Sequence, residues 1–213
     1  QGLRSIPIAA VVLSNGDVDH VAGLLSLREG LAFTLHASAR VLEALAARGI
    51  ESPFQIQERV VPEAMRGSDI LAKSPTGSGK TLAFALPIVT LLDPAEPRPA
   101  ALVLVPTREL ATQVTDELTS VGAPRGIAVA SVYGGVALHA QAKRAAESHV
   151  VVATPGRLQD LVDRRMLSLD AIRILILDEA DRMLDMGFKP QVDRIVKRIS
   201  NDRQTMFFSA TLD

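Results

Sequence analysis

The run Ser74-Pro75-Thr76-Gly77-Ser78-Gly79-Lys80-Thr81 has the residue types and spacing to hold a chain of phosphates. An apolar stretch, Ile70-Leu71-Ala72, leads into it, and Leu82-Ala83-Phe84-Ala85-Leu86, a helix-forming stretch, leads out. A loop between strand and helix aims successive backbone N–H groups at an anion, and the helix N-terminus adds partial positive charge. Glycines let the loop approach closely. Within such a loop Thr76, Gly77, Ser78 and Gly79 face the phosphates. Lys80 reaches the β- and γ-phosphates, and the Thr81 hydroxyl can ligate Mg²⁺. Ser74 stands where the common pattern has its first glycine, so a strand–turn–helix without a ligand is the plain alternative.

A second constellation argues against that alternative. Ile174-Leu175-Ile176-Leu177 is a short, continuous apolar run, as expected of a buried parallel strand. It ends in Asp178-Glu179-Ala180-Asp181. Two carboxylates at the end of a buried strand suit Mg²⁺ chemistry, with Asp178 holding the metal through water and Glu179 orienting an attacking water. A solvated acidic turn is the bland reading of the same residues.

These motifs resemble those of the DEAD-box RNA helicases, whose name spells Asp178-Glu179-Ala180-Asp181. Further motifs of that family's first domain follow in order. Pro106-Thr107-Arg108-Glu109-Leu110-Ala111, the doublet Gly134-Gly135 and Thr154-Pro155-Gly156-Arg157 resemble RNA-contact motifs. Ser209-Ala210-Thr211 resembles the motif that couples hydrolysis to unwinding. The resemblance covers about residues 38–213. It implies an ATP- and Mg²⁺-binding RecA-like domain, with Lys80, Asp178 and Glu179 catalytic and Thr81 and Asp178 at the metal. It also implies coupling through Asp181, Ser209 and Thr211. Ile56-Gln57, after Gly49 and Pro53, resembles the motif whose last glutamine reads adenine, although Gln55 stands where that family usually has proline. An amide offers a donor and an acceptor together, which matches the N6 and N7 edge of adenine. The family's upstream stacking aromatic corresponds to Phe33.

The elements that position these residues alternate between strand and helix, which predicts an α/β fold with a parallel sheet covered on both faces. Strands are expected at Ala101–Val105, Ile127–Val132, Val150–Ala153 and Thr205–Phe208. Helices are expected from a Thr107 cap to about Val121, over Leu138–Glu147, after Gly156 and over Pro190–Ile199. Thr107, Arg108, Gly135, Thr154, Gly156 and Arg157 then fall just past strand ends, the edge where open parallel sheets bind ligands. Glycine N–H groups and guanidinium groups suit phosphate oxygens rather than base edges, so the expected contact is to the RNA backbone. Plain alternatives are an ion pair from Arg108 to Glu109 or Asp181, and an exposed first-turn charge for Arg157.

Composition bounds the partners. The 213 residues suit one large domain plus an appendage, and formal net charge is −1, so nucleic-acid contact must rest on a local patch. With no cysteine, disulfides and thiolate metal sites are excluded, which fits a reducing cytoplasm. No apolar run approaches the ~20 residues that span a membrane, and no signal peptide is read at the N-terminus.

Residues 1–37 read as an appendage of different origin. Ile6–Leu13 reads as a strand and Val21–Arg28 as a short helix. Leu13-Ser14-Asn15-Gly16-Asp17-Val18-Asp19-His20-Val21-Ala22-Gly23-Leu24-Leu25 resembles part of a metallo-β-lactamase fold, most closely a pyrroloquinoline-quinone biosynthesis protein. Asn15 and Asp17 replace the two leading histidines of its metal motif. A metal-dependent hydrolase seated there is therefore disfavoured, and a fusion or an extension are both open readings. A lone apolar strand also invites self-association.

The DEAD-box resemblance implies a second RecA-like domain carrying an arginine finger, and these residues offer no candidate for it. The expectation is nucleotide and RNA-backbone binding with very slow hydrolysis. A non-enzymatic nucleotide- or RNA-binding module is the rival reading. Another P-loop ATPase, such as a DNA helicase, is opposed by Ala180-Asp181 and Gln57.

Overall fold

The structure is a computed structural model that describes residues 45–49, 53–75 and 77–211, and the backbone of 10–13. Three strands are continuous runs of apolar side chains, buried throughout: β3 Ala101–Leu104, β5 Val150–Ala153 and β6 Ile174–Leu177. Such runs suit the middle of a sheet with both faces covered. β2 Ile70–Lys73, β4 Val129–Val132 and β7 Gln204–Ser209 contain half-buried positions as well. β1 Ala10–Leu13 pairs with β2, and the seven strands run in the order β1-β2-β7-β6-β3-β5-β4, all parallel.

The helices divide between the two faces. α1 Gln55–Met65, α2 Lys80–Leu91 and α3 Arg108–Gly122 bury their apolar sides in one core. α4 Leu138–Glu147, α5 Pro155–Asp163, α6 Ala180–Asp185 and α7 Lys189–Val196 contribute to the other. The chain crosses one face while moving from β2 to β3 and β4, and the other while returning through β5 and β6 to β7. Right-handed crossovers demand this switch of face with direction. The Phe84 and Phe208 rings, 5.4 Å apart, join α2 to β7 inside the first core.

Register decides what this frame presents. Lys73 lies beside Ser209, Phe207 beside Leu177, Leu177 beside Leu104, and Ala153 beside both Leu104 and Val132. All the motifs therefore leave the sheet at one edge.

Most expected elements appear with small shifts. The strand read from Ile127 begins at Val129, because the Ile127 N–H turns back to the Gly122 carbonyl and closes the end of α3. The helix read over Pro190–Ile199 spans Lys189–Val196. In the N-terminal strand only Ala10–Leu13 is described, and the expected helix Val21–Arg28 lies outside the described residues. Two α-helices were not foreseen. α1 carries the glutamine motif, driven by Ile56, Val60, Val61 and Ala64 on one buried face, and α6 begins directly after Glu179. Among the described residues no helix is long and apolar enough to cross a membrane.

Candidate nucleotide site and nucleic-acid edge

The phosphate loop follows β2, and α2 begins at Lys80 without a side-chain cap on its N-terminus. Its first N–H groups are thus left for a ligand. Gly77 and Gly79 take φ of 82° and 80°, which side chains resist. The loop is braced from below. The Ser74 N–H donates to the Ser209 carbonyl at 2.8 Å, and the buried Ser74 hydroxyl pairs with that of Ser78. Serine in place of the first glycine thus adds a bond across the loop. Thr76 lies outside the described residues, and Thr81 is the second residue of α2.

Lys80 does not point freely into the loop. It is 6% exposed, with Nζ 3.0 Å from Asp178 Oδ1 and 3.3 Å from Glu179 Oε1. Asp178 is fully buried, and its second oxygen, Oδ2, has no hydrogen-bond partner. Burial pushes the Asp178 carboxyl above its ordinary value, and Lys80 beside it pulls it back only in part. A buried carboxylate oxygen without a partner suits a cation or its water, so these residues fit Mg²⁺. Glu179 is in the left-handed region at φ 51° and precedes α6. That conformation is costly for a residue with a side chain and is concentrated at functional sites. Here it accompanies a side chain bonded to both Lys80 and Arg182.

Asp181 faces the other way. Its Oδ2 accepts from the Ala210 N–H, the Thr211 N–H and the Thr211 hydroxyl, each at 3.1 Å. Its partial burial would raise the carboxyl, but the N–H groups of Arg182 and Thr211 and the hydroxyls of Thr211 and Ser209 hold it below the usual range. The Ser209 hydroxyl in turn donates to the Thr211 carbonyl. With the Ser74–Ser209 bond, one chain of contacts joins the phosphate loop, the last strand and the acidic motif.

Gln57 is the third residue of α1, not part of a loop. It is buried; its Nε2 donates to the Gly79 carbonyl at 2.9 Å, and its Oε1 accepts from the Phe54 N–H at 3.1 Å.

The remaining predicted residues gather past β3, β4 and β5. Thr107 caps α3, its Oγ1 accepting from the Leu110 N–H at 3.2 Å. Arg108 is exposed and sits 5.1 Å from the centre of the Tyr133 ring, rather than forming the ion pair weighed from sequence. Gly135, at φ 85°, lies beside the Arg108 guanidinium. Thr154 precedes α5, and Gly156 is exposed in its first turn. Arg157 is half-buried and donates to the Val136 carbonyl at 2.8 Å and to Gln141 Oε1 at 2.9 Å. It is thus a brace of the glycine-doublet loop, not an exposed first-turn charge. Sequence reasoning passed over Tyr133 and Gln141; the tyrosine's place next to Gly134 was the available signal.

A family model described as DEAD/DEAH box helicase matches residues 54–213. The chain belongs to that family. Among curated DEAD-box relatives, the DEAD-box ATP-dependent RNA helicase CshA of Streptococcus pneumoniae is 44% identical over 84% of this chain and 34% of its own length. The ATP-dependent RNA helicase DbpA of Bacillus subtilis is 43% identical over 81% of this chain and 36% of its own length. The chain therefore spans about a third of the length of the curated relatives it matches. The crystal structure of a DEAD box protein from Methanococcus jannaschii superposes with a TM-score of 0.81 at 39% identity, covering 84% of this chain and 49% of that one. A second model, described as a β-lactamase superfamily domain, matches residues 2–83, and so reaches past the phosphate loop of the DEAD-box domain.

Proposed function

We propose that this chain is the ATP-binding first domain of a DEAD-box RNA helicase, gripping Mg²⁺-nucleotide at the Lys80 end of the sheet edge and the RNA backbone at the Arg108 end. The observation that carries the reading is the meeting of Lys80, Asp178 and Glu179 beneath an uncapped helix N-terminus, tied through Ser74 and Asp181 to Ser209-Ala210-Thr211.

Each side chain has a role in this reading. Lys80 exchanges its carboxylate partners for phosphate oxygens. Thr81 and Asp178 would hold Mg²⁺ between them, which supplies positive charge to the phosphates when bound. Glu179 orients the attacking water. Gln57 retains one N–H and one lone pair beyond its two protein bonds, the pair adenine requires. Asp181 reports the state of the site to Ser209-Ala210-Thr211. Thr107, Arg108, Gly135, Thr154 and Gly156 take phosphate oxygens of RNA, with Arg157 shaping their loop. Residues 1–37 supply none of these groups, although Ala10–Leu13 extends the sheet beside β2.

Hydrolysis in this reading needs a second RecA-like domain, since an arginine finger contributes about 10³–10⁵ in rate. Residues 1–213 alone should bind nucleotide and turn it over near background, and a second RecA-like domain added in trans or by fusion should restore the rate. Glu179→Gln should then abolish the restored turnover while calorimetric ADP binding persists. Vigorous turnover by residues 1–213 alone would overturn the division of labour.

A further inference from the structure

Glu179 is held from two sides by cations of different kinds. Its Oε1 accepts from the Lys80 ammonium and its Oε2 from the Arg182 guanidinium, each at 3.3 Å. Lys80 reaches it from the start of α2, and Arg182 from the first turn of α6. The Lys80 side chain is buried and that of Glu179 nearly so, whereas the Arg182 side chain is 59% exposed. Both carboxylate oxygens are thus fixed on a residue whose φ of 51° strains its backbone.

The two cations have different fates. In the nucleotide reading Lys80 exchanges its carboxylate partners for phosphate oxygens. Arg182 stays: among the described residues Glu179 is the one acid that its side chain meets. Its backbone N–H also donates to the Asp181 carboxyl, so the start of α6 is anchored at both acids. When Lys80 turns away, Arg182 is the cation that remains beside Glu179. A largely buried carboxylate stripped of every cation would lose its fixed direction and repel the arriving phosphates.

We infer that Arg182 is a positioning residue: it keeps Glu179 charge-paired and in place once Lys80 has moved to the phosphates of a bound nucleotide. This rests on the nucleotide reading above and adds to it the group that steadies the water-orienting carboxylate. The arrangement divides two tasks between two cations. The buried one changes partners, and the exposed one does not.

Calorimetry of Mg²⁺-ADP with residues 1–213 tests this as a double-mutant cycle. Arg182→Ala should lower affinity about threefold, within the range of a single partly exposed ion pair. Arg182→Lys keeps the charge and should restore most of the loss. Glu179→Gln removes the charge that Arg182 serves, so Arg182→Ala made on that background should leave affinity where Glu179→Gln alone puts it. An equal loss on both backgrounds would overturn the inference, because Arg182 would then act on the phosphates directly. Arg182→Ala with a lowered melting temperature and unchanged ADP affinity would also overturn it, assigning the pair to the stability of α6. If the parent chain binds no Mg²⁺-ADP, or binds it equally well after Lys80→Ala, the nucleotide reading falls first and this inference with it.

Discussion

Lys80 and Arg108 stand past the ends of β2 and β3, on one edge of one sheet, yet they hold their charge in opposite ways. Lys80 is buried between two carboxylates, whereas Arg108 lies exposed over an aromatic face. A buried cation has paid its desolvation and cannot be left alone, so it acts by exchanging partners. An exposed cation on a ring loses little by turning to a phosphate, and salt competes with it directly. In the proposed reading the Lys80 end, the nucleotide half, is a closed, preset lock, and the Arg108 end, the nucleic-acid half, is an open electrostatic landing. Asp181 shows the intermediate case, a partly buried carboxylate held by several donors that can each be lost singly.

The largest effect should come from Lys80→Ala. It removes the charge proposed to meet the phosphates, so calorimetry should show Mg²⁺-ADP affinity falling well over tenfold, about 1.4 kcal/mol or more. It also strips Asp178 of its partner, so melting temperature at neutral pH should fall. Asp178 is already pushed upward by burial, and its ionised form opposes folding as pH rises through its folded value. The melting deficit of the variant should therefore shrink as pH is lowered, because the orphaned carboxyl takes up a proton. Unchanged affinity together with unchanged melting would erase the contrast between the two halves.

Selectivity sharpens the nucleotide half. Gln57→Ala should bring ATP affinity toward that for GTP, since the amide edge is gone and the loop remains. Equal ATP and GTP binding by the unaltered chain would remove Gln57 from base reading.

On the open half, Arg108→Ala should make the dependence of RNA affinity on salt shallower by a log–log slope of about 0.7, without changing sequence preference. Tyr133→Leu should act in the same direction by releasing the guanidinium. Arg157 is already committed to Val136 and Gln141. Its alanine variant should lower affinity with a smaller change in slope than Arg108→Ala.

The smallest effect is expected at Asp181. Its folded carboxyl titrates below the ordinary value. Its contribution to stability is therefore present above the unfolded pKa of about 3.9 and lost as pH falls through the lower folded value. Asp181→Asn should flatten that acid limb in melting curves, leave ADP binding intact and, once a second domain restores turnover, weaken its response to RNA. A parallel loss of ADP binding would place Asp181 in the nucleotide half instead.

Much of this was legible in the residues. Val150–Ala153 and Ile174–Leu177 could only be central strands, because four consecutive apolar side chains need cover on both faces. Thr107 announced its helix through a hydroxyl that satisfies a free N–H. The phosphate loop, the acidic tetrapeptide and the Ser-Ala-Thr run were readable as motifs because their residues are neighbours in the chain. α1 and α6 were missed for the converse reason. No helix was expected around Gln57, four residues past Pro53, and Glu179 takes a left-handed conformation that no propensity favours.

Only the tertiary structure decided which groups meet. Sequence placed Lys80 and Glu179 ninety-nine residues apart, and only the strand order, with β7 between β2 and β6, put them 3.3 Å from one another. The same order set Arg108 over Tyr133 instead of beside an acid, turned Arg157 into a brace, and stood Phe54 against Gly79. Strand order and handed crossovers are properties of the whole sheet, settled by how every helix covers its faces. Local sequence therefore fixes what each group is able to do, and the packing of the sheet fixes which partner it finds.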